Sequence, residues 1–416
     1  MDDGTQLPVS INDIRSAAER IRGAVERTPA RYSHTLSQIA ACDIALKFEN
    51  FQFTASFKER GALNKLLSLS PEEQHRGVIA MSAGNHAQGV AFHAGRLKIP
   101  ATVVMPAQTP FNKVKHTRDF GATVILHGDN LSEAGEKATE IATVENLTFV
   151  HPYDDPHIIA GQGTVGLEFI ADHPELDCLV VPVGGGGLIS GIAIAARSLK
   201  PAIKIYGVQS ALFPSMSDVF HGTATIHGSQ TIAEGIAVKH PGFLTRTIIR
   251  SLVEDIFVVQ ETKIESALAQ MLEVEKVLIE GAAAAAFACV LANRSAFEGK
   301  KVGLVLSGGN IDMRLLTNVI LRELTREGRI QSVAIDIEDR PGFLAKIAQI
   351  ISEAGGNILD VHHDRMASEL SAKSATLAVT FEARDVGHAV AIRHRLGSEG
   401  FSMHSKIPES QRAHDV

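Results

Sequence analysis

The sequence predicts an α/β protein built on parallel sheets, followed by a small ferredoxin-like unit. Three observations carry this. Short runs that are apolar throughout, such as "CLVVPV" (178–183) and "KVGLVLSG" (301–308), alternate with helical stretches over most of the chain. That is the pattern of a parallel sheet covered on both faces. Glycines and polar residues gather at the C-terminal ends of these runs, where such sheets bind ligands. After "TREGRI" (325–330) the order becomes strand, helix, strand, strand, helix, strand, the ferredoxin-like order.

The elements follow in order. Ile11, Ile14, Ala18 and Ile21 recur at helical spacing after Ser10, predicting a helix over 11–27. "GVIAMSA" (77–83) precedes a helix from about Ala87 to Leu97, and "ATVVMP" (101–106) one from about Asn112 to Phe120. "ATVILHG" (122–128) precedes a helix from about Ser132 to Val144, and "LTFVHP" (147–152) one through Gln162–Ile170. "CLVVPV" leads through four glycines into a helix, "KIYGVQ" (204–209) follows, and "KVGLVLSG" closes the set. The run "GAAAAAFACVLA" (281–292) reads as a closely packed helix. Past the break come strand "QSVAIDIED", turn "RPG", helix 342–354, "GGNILDVHHDR", strand "KSATLAVTFEA", helix 385–397 and strand "FSMHSKI". The expected domains are therefore 1–328, with a smaller subdomain at roughly 78–153, then 329–406, and a polar tail 407–416.

With 416 residues the chain is long enough for two or three domains. A net charge of −7 without a basic stripe argues against nucleic acid. No apolar run reaches membrane-spanning length, and the acidic N-terminus lacks a signal-like apolar region. Cys42, Cys178 and Cys289 are widely spaced, so a disulfide framework or zinc site is not expected and the cytoplasm is the default compartment.

Four stretches carry candidate chemistry. In "VVPVGGGGLISG", Gly184, Gly185, Gly186 and Gly187 leave successive N–H groups open to an anion, and the following helix adds its positive end. The alternative is a flexible strand-to-helix turn. The loop lacks the Lys-Ser/Thr of a Walker motif and the dinucleotide spacing, so the expected phosphate is not that of ATP or NAD. In "MSAGNHAQG" (81–89), Ser82, Asn85 and His86 offer donors at a helix start, suited to a carboxylate or a ring hydroxyl. A plain turn and cap is the other reading. "LSGGN" (306–310) places Ser307 at a strand end, able to meet a ring nitrogen. "TASFKERGALNK" (54–65) holds Lys58. Either Thr54 or Ser56 caps a helix whose wet first turn contains Lys58, Glu59 and Arg60, or the lysine is kept for its amine.

A lysine amine, a phosphate cradle, an Asn–His loop and a strand-end serine are together what pyridoxal phosphate requires. Through "FENFQFTASFKERGA", "SAGNHAQG", "HPYDDPHIIAGQGT", "PVGGGGL" and "SGGN", in order over about residues 10–325, the chain resembles the fold-type II pyridoxal-phosphate enzymes of the serine/threonine dehydratase family. The resemblance implies a catalytic domain of two open α/β subdomains. It implies that Lys58 forms the Schiff base with the cofactor and that Phe57 packs on its ring. Asn85 would bind the ring hydroxyl, Gly184–Gly187 and Leu188 the phosphate, and Ser307 the ring nitrogen. Ser82, Asn85 and His86 would receive the substrate. The implied reaction is β-elimination of L-threonine, and of L-serine, to a 2-oxo acid and ammonia, with Lys58 removing the Cα proton. The alternatives are a serine racemase, a hydroxyaspartate dehydratase, or a non-catalytic amino-acid sensor that has kept the fold.

Departures from the family pattern bear on these alternatives. Glycine is frequent in the family where Ala55 stands. Racemases carry a serine at the position of Ala83, poised to reprotonate Cα, so Ala83 argues against racemisation. Relatives with a divalent cation use acidic groups in the stretch matching "VQSALFPS"; Gln209 and Ser215 stand there, and no metal is expected. The segment with "EDRPGFLAKIAQII" and "GGNI" resembles an ACT domain. That implies an amino-acid effector, such as a branched-chain amino acid, between the turn at Gly342 and Asn357, and a homo-oligomer, dimer or tetramer. The alternative is a ferredoxin-like assembly module without a ligand.

Overall fold

The computed structural model describes residues 7–226, 228, 230–365, 371 and 373–404. They fall into two compact units, Met1–Asp312 and Met313–Val416. The expected polar tail, 407–416, lies outside the described residues.

The first unit holds two sheets. Strands β1 (Ala30–Ser33), β2 (Asp43–Lys47), β7 (Cys178–Pro182), β8 (Lys204–Ser210), β9 (Asp255–Val259) and β10 (Lys301–Val305) make a six-stranded sheet in the order β1-β2-β10-β7-β8-β9. All its pairings are parallel except β1 with β2. Strands β3 (Val78–Met81), β4 (Ala101–Met105), β5 (Thr123–Leu126) and β6 (Thr148–Phe149) make a second, all-parallel sheet in the order β5-β4-β3-β6. Helices cover the strands. Leu179, Val181, Ile189, Ile192 and Ile205 lie in one core, and Ala80, Val90, Val103 and Met105 in the other. Burial on both faces is why β7 and β10 read as unbroken apolar runs.

The pattern predicts a helix over 11–27, but it spans Ile11–Ile21, because Gly23 turns left-handed at φ +70°. The helix expected through 162–170 starts earlier and spans Pro156–Asp172. Asp155 accepts from His157 and Ile158, and Pro156 occupies the first turn. The helix Met313–Arg326, which groups with the second unit, and the strands β1, β2 and β9 are absent from the predicted set. Each of these strands is four or five residues long, too short for periodicity to separate it from a loop or a helix end.

In the second unit, β11 (Ile330–Glu338), β12 (Asn357–Asp364), β13 (Ser374–Glu382) and β14 (Met403–His404) form an antiparallel sheet in the order β12-β13-β11-β14. Helices Phe343–Glu353 and Val386–Ser398 pack over Ile335, Leu377, Val379 and Phe381. This is the ferredoxin-like arrangement, with the last strand short among the described residues.

Candidate active site

The glycine loop leaves the C-terminal end of β7 and enters the helix Gly187–Leu199. Gly186 stands at φ +97°, and a Cβ there would fall within 2.9 Å of Thr245, Ile249 and Met216. At Gly185 a Cβ would fall 2.2–2.4 Å from the Tyr153 ring. Neither position admits a side chain as built. Asp154 fixes the far wall by accepting from the backbone N–H groups of Phe243, Leu244 and Thr245, while Thr245 donates to Gly185 O at 2.7 Å. The N–H groups of Gly184–Gly187 find no acceptor among the described residues, which is what an anion cradle requires.

Lys58 opens the helix Lys58–Leu67, and neither Thr54 nor Ser56 caps it; Phe57 takes the N-cap position without a side-chain bond. The wet first turn is also absent. Glu59 is 1% exposed and Arg60 fully buried, where Arg60 bonds to both Glu49 and Glu168. The chain reverses at Ala55 in the left-handed region, φ +55°, a conformation that favours glycine. It then pairs across to the other motif: Phe57 N–H donates to Ser307 O and Gly309 N–H to Ala55 O. "TASFK" and "LSGGN", some 250 residues apart in the chain, are thereby one local structure. The Ser307 hydroxyl makes no hydrogen bond among the described residues.

The Lys58 amine lies 5.2 Å from the centroid of the Phe57 ring and donates to Pro152 O at 2.6 Å. Burial lowers it to about 8, opposed by the negative charge of Glu280. It is therefore an amine that gives up its proton far more readily than a surface lysine.

Asn85 and His86 begin the helix Asn85–Leu97, which has no side-chain cap, and Ser82 accepts from Gly84 N–H in the loop before it. The backbone N–H groups of Asn85, His86 and Ala87 have no acceptor among the described residues. They form a donor set for a carboxylate. The His86 ring is buried and shares a hydrogen bond with Val150 O at 2.8 Å; burial lowers it to about 3. A neutral ring bonded to a carbonyl must be donating, so its N–H is already spent. What His86 offers the cleft is its backbone.

Asn85 accepts from Asn310 and donates to Glu280. The motifs did not point to Glu280, Asn310, Tyr153 or Asp154 individually. Glu280 had one signal, as the acidic residue in the apolar run "VLIEGAAAAAFACVLA".

Gln209 accepts from Met216 and Ser217 N–H and donates to Val183 O, and Ser215 donates to Val238 O. These groups are engaged with the protein itself. Among the described residues no cluster of three His, Cys, Asp or Glu could hold a metal. In the second unit Gly342, at φ +103°, is the N-cap of the helix Phe343–Glu353, and Asn357 begins β12.

A glycine cradle closed to any Cβ, a lysine held near neutrality and an unengaged strand-end hydroxyl fit pyridoxal phosphate. The chain matches the pyridoxal-phosphate-dependent enzymes over residues 21–308 and the ACT domain over 332–398. It is 44% identical to the L-threonine ammonia-lyase of Thermotoga maritima over 397 residues, covering 95% of this chain and 99% of that one. It is 44% identical to the catabolic L-threonine dehydratase of Escherichia coli (strain K12) over 317 residues, 75% of this chain and 96% of that one. Among solved structures it resembles maize serine racemase, with 33% identity, a TM-score of 0.71, and coverage of 77% of this chain and 99% of that one. The chain belongs to the pyridoxal-phosphate-dependent enzyme family and carries a C-terminal ACT domain.

Proposed function

We propose that this enzyme is an L-threonine ammonia-lyase that converts L-threonine to 2-oxobutanoate and ammonia and L-serine to pyruvate and ammonia. The observation that carries this reading is the Lys58 amine, lowered to about 8, at a cleft with a glycine cradle, in a chain 44% and 42% identical to two L-threonine ammonia-lyases over 95% of its length. When bound, pyridoxal phosphate supplies the electron sink that makes a Cα–H acidic. Gly184–Leu188 would hold its phosphate, Asn85 its ring hydroxyl, and Phe57 would pack on the ring. Ser307 would meet the ring nitrogen with a hydroxyl, which would not hold a proton there as a carboxylate would. Ser82 and the free N–H groups of Asn85, His86 and Ala87 orient the substrate carboxylate. Lys58 Nζ takes the Cα proton, the β-hydroxyl takes up one proton as it leaves as water, and the released enamine is hydrolysed by water to the 2-oxo acid and ammonia. The test is release of 2-oxo acid from L-threonine, L-serine and β-hydroxyaspartate by the full-length chain. Turnover of L-threonine well above the others supports the reading, and no turnover of it contradicts it.

A racemase reading has the likeness to maize serine racemase in its favour. Ala83 offers no acid to the second face of Cα. Incubation with L-serine is therefore expected to give pyruvate with little D-serine. D-serine accumulating as fast as pyruvate would overturn this assignment.

The reading extends to regulation in a cytoplasmic homo-oligomer. An amino-acid effector, isoleucine or valine, binds the ACT domain near Gly342 and Asn357 and acts by preferring one state of the enzyme. The Escherichia coli L-threonine dehydratase aligns over 96% of its own length with 75% of this chain, which supports a dehydration chemistry that does not depend on the whole chain. Truncation after Glu327 is expected to keep threonine dehydration and abolish its response to these amino acids. Gly342→Asp, which puts a side chain at φ +103°, is expected to weaken that response. Initial rates with and without each amino acid provide the check, and an unchanged response in the truncated enzyme would contradict the assignment.

A further inference from the structure

Asn85 does not orient itself. Its Oδ1 accepts from Asn310 Nδ2 at 2.7 Å, and its Nδ2 lies 2.9 and 3.1 Å from the carboxyl oxygens of Glu280. Glu280 is 8% exposed and stands at the start of the helix Gly281–Ala292, yet its carboxyl does not cap that helix. A Cβ on Gly235 or Gly308 would fall 2.9 or 2.8 Å from Glu280 Oε1. The carboxyl thus occupies a slot that two glycines keep open, pressed against Asn85.

The charged groups facing Glu280 are Lys58, Lys113 and Glu234. Lys113 and Glu234 are ion-paired to each other, so their fields at Glu280 largely cancel. The other titratable rings facing Lys58, His86 and His151, are held towards neutrality by burial. Lys58 and Glu280 are left as each other's counter-charge.

Resting on the reading that Lys58 binds the cofactor, we propose that Glu280 is a positioning residue of this site: its carboxyl fixes the Asn85 amide and supplies the negative charge that sets when the Lys58 amine is free. With Oδ1 engaged by Asn310, Asn85 can face a ligand only with N–H. One hydrogen goes to Glu280 and the other is left for the ring hydroxyl, favouring its ionised form. Burial raises Glu280 to about 7, held back first by the hydrogen bond from Asn85 and in smaller part by the Lys58 charge, and burial lowers Lys58 to about 8, held back by the charge of Glu280. Removing the charge of Glu280 frees the Lys58 amine of its proton at lower pH.

The experiment measures, against pH, the rate at which cofactor-free full-length protein forms its covalent adduct with pyridoxal phosphate, followed by absorbance. Only the unprotonated amine reacts, so the midpoint reports Lys58. Wild type is expected near 8. Glu280→Gln, which keeps an oxygen for Asn85 but carries no charge, is expected to move the midpoint down by about half to one pH unit. Glu280→Asp, which keeps the charge but withdraws it from Asn85, is expected to hold the midpoint and raise the cofactor concentration for half-saturation about tenfold. A Glu280→Gln midpoint equal to wild type, in protein with a wild-type melting curve, overturns the Glu280 assignment alone. A wild type that forms no adduct overturns the cofactor reading and this inference with it.

Discussion

Lys58→Ala is expected to abolish the visible absorbance of bound pyridoxal phosphate and to lower turnover of L-threonine by about a thousandfold or more. The expectation rests on two roles held by one amine. It anchors the cofactor covalently, and it exchanges the Cα proton once the substrate amine has displaced it. Neighbouring lysines cannot substitute. Lys47 is fully buried against Glu168 and Thr28 O, and Lys65 is paired with Asp155. Fold is expected to be kept, because Arg60, Glu49 and Glu168 anchor this helix independently of Lys58. In the cofactor-free wild type, the rate of covalent attachment of pyridoxal phosphate should rise with pH as the Lys58 amine, lowered to about 8, loses its proton. A Lys58→Ala protein with wild-type turnover would refute the assignment.

Gly185→Val is expected to raise the pyridoxal phosphate concentration for half-saturation about a hundredfold or more, the equivalent of roughly 2.7 kcal/mol. Its new side chain would drive into the Tyr153 ring, 2.2–2.4 Å from the Cβ position. Tyr153 cannot yield easily, because its hydroxyl donates to His240 O and Asp154 beside it holds the start of the helix Phe243–Leu252. Gly186 is a poorer probe. It combines φ +97° with core neighbours Ile249 and Met216, so substitution there lowers stability together with cofactor affinity. Cofactor titration beside a melting curve separates the two effects, and unchanged affinity in Gly185→Val would contradict the cradle.

The stretches that line the candidate cleft were marked in the sequence where glycine and asparagine punctuate strand ends, "GGGGL" and "SAGNH". The parallel strands β3 to β8 and β10 and the ferredoxin-like unit were legible from apolar runs, whereas β1, β2 and β9, half of the larger sheet, were not. What escaped were contacts set by distance in sequence. Glu280 reaches Asn85 across 195 positions, and nothing local marks it except an acid in an apolar run. The sequence "KER" looks like a wet helix start. Its Arg60 is instead buried, because Glu49 and Glu168 arrive from other elements to neutralise it. His86 reads as a donor to substrate, but Val150 O, 64 positions away, takes its ring proton.

The most direct test of the central claim is to reduce the full-length protein with borohydride in the presence of pyridoxal phosphate and map the modified peptide. The account predicts one pyridoxyl group, on Lys58, with loss of 2-oxobutanoate release in proportion to labelling. Label on Lys47 or Lys65 instead, or full activity with Lys58 modified, would contradict it.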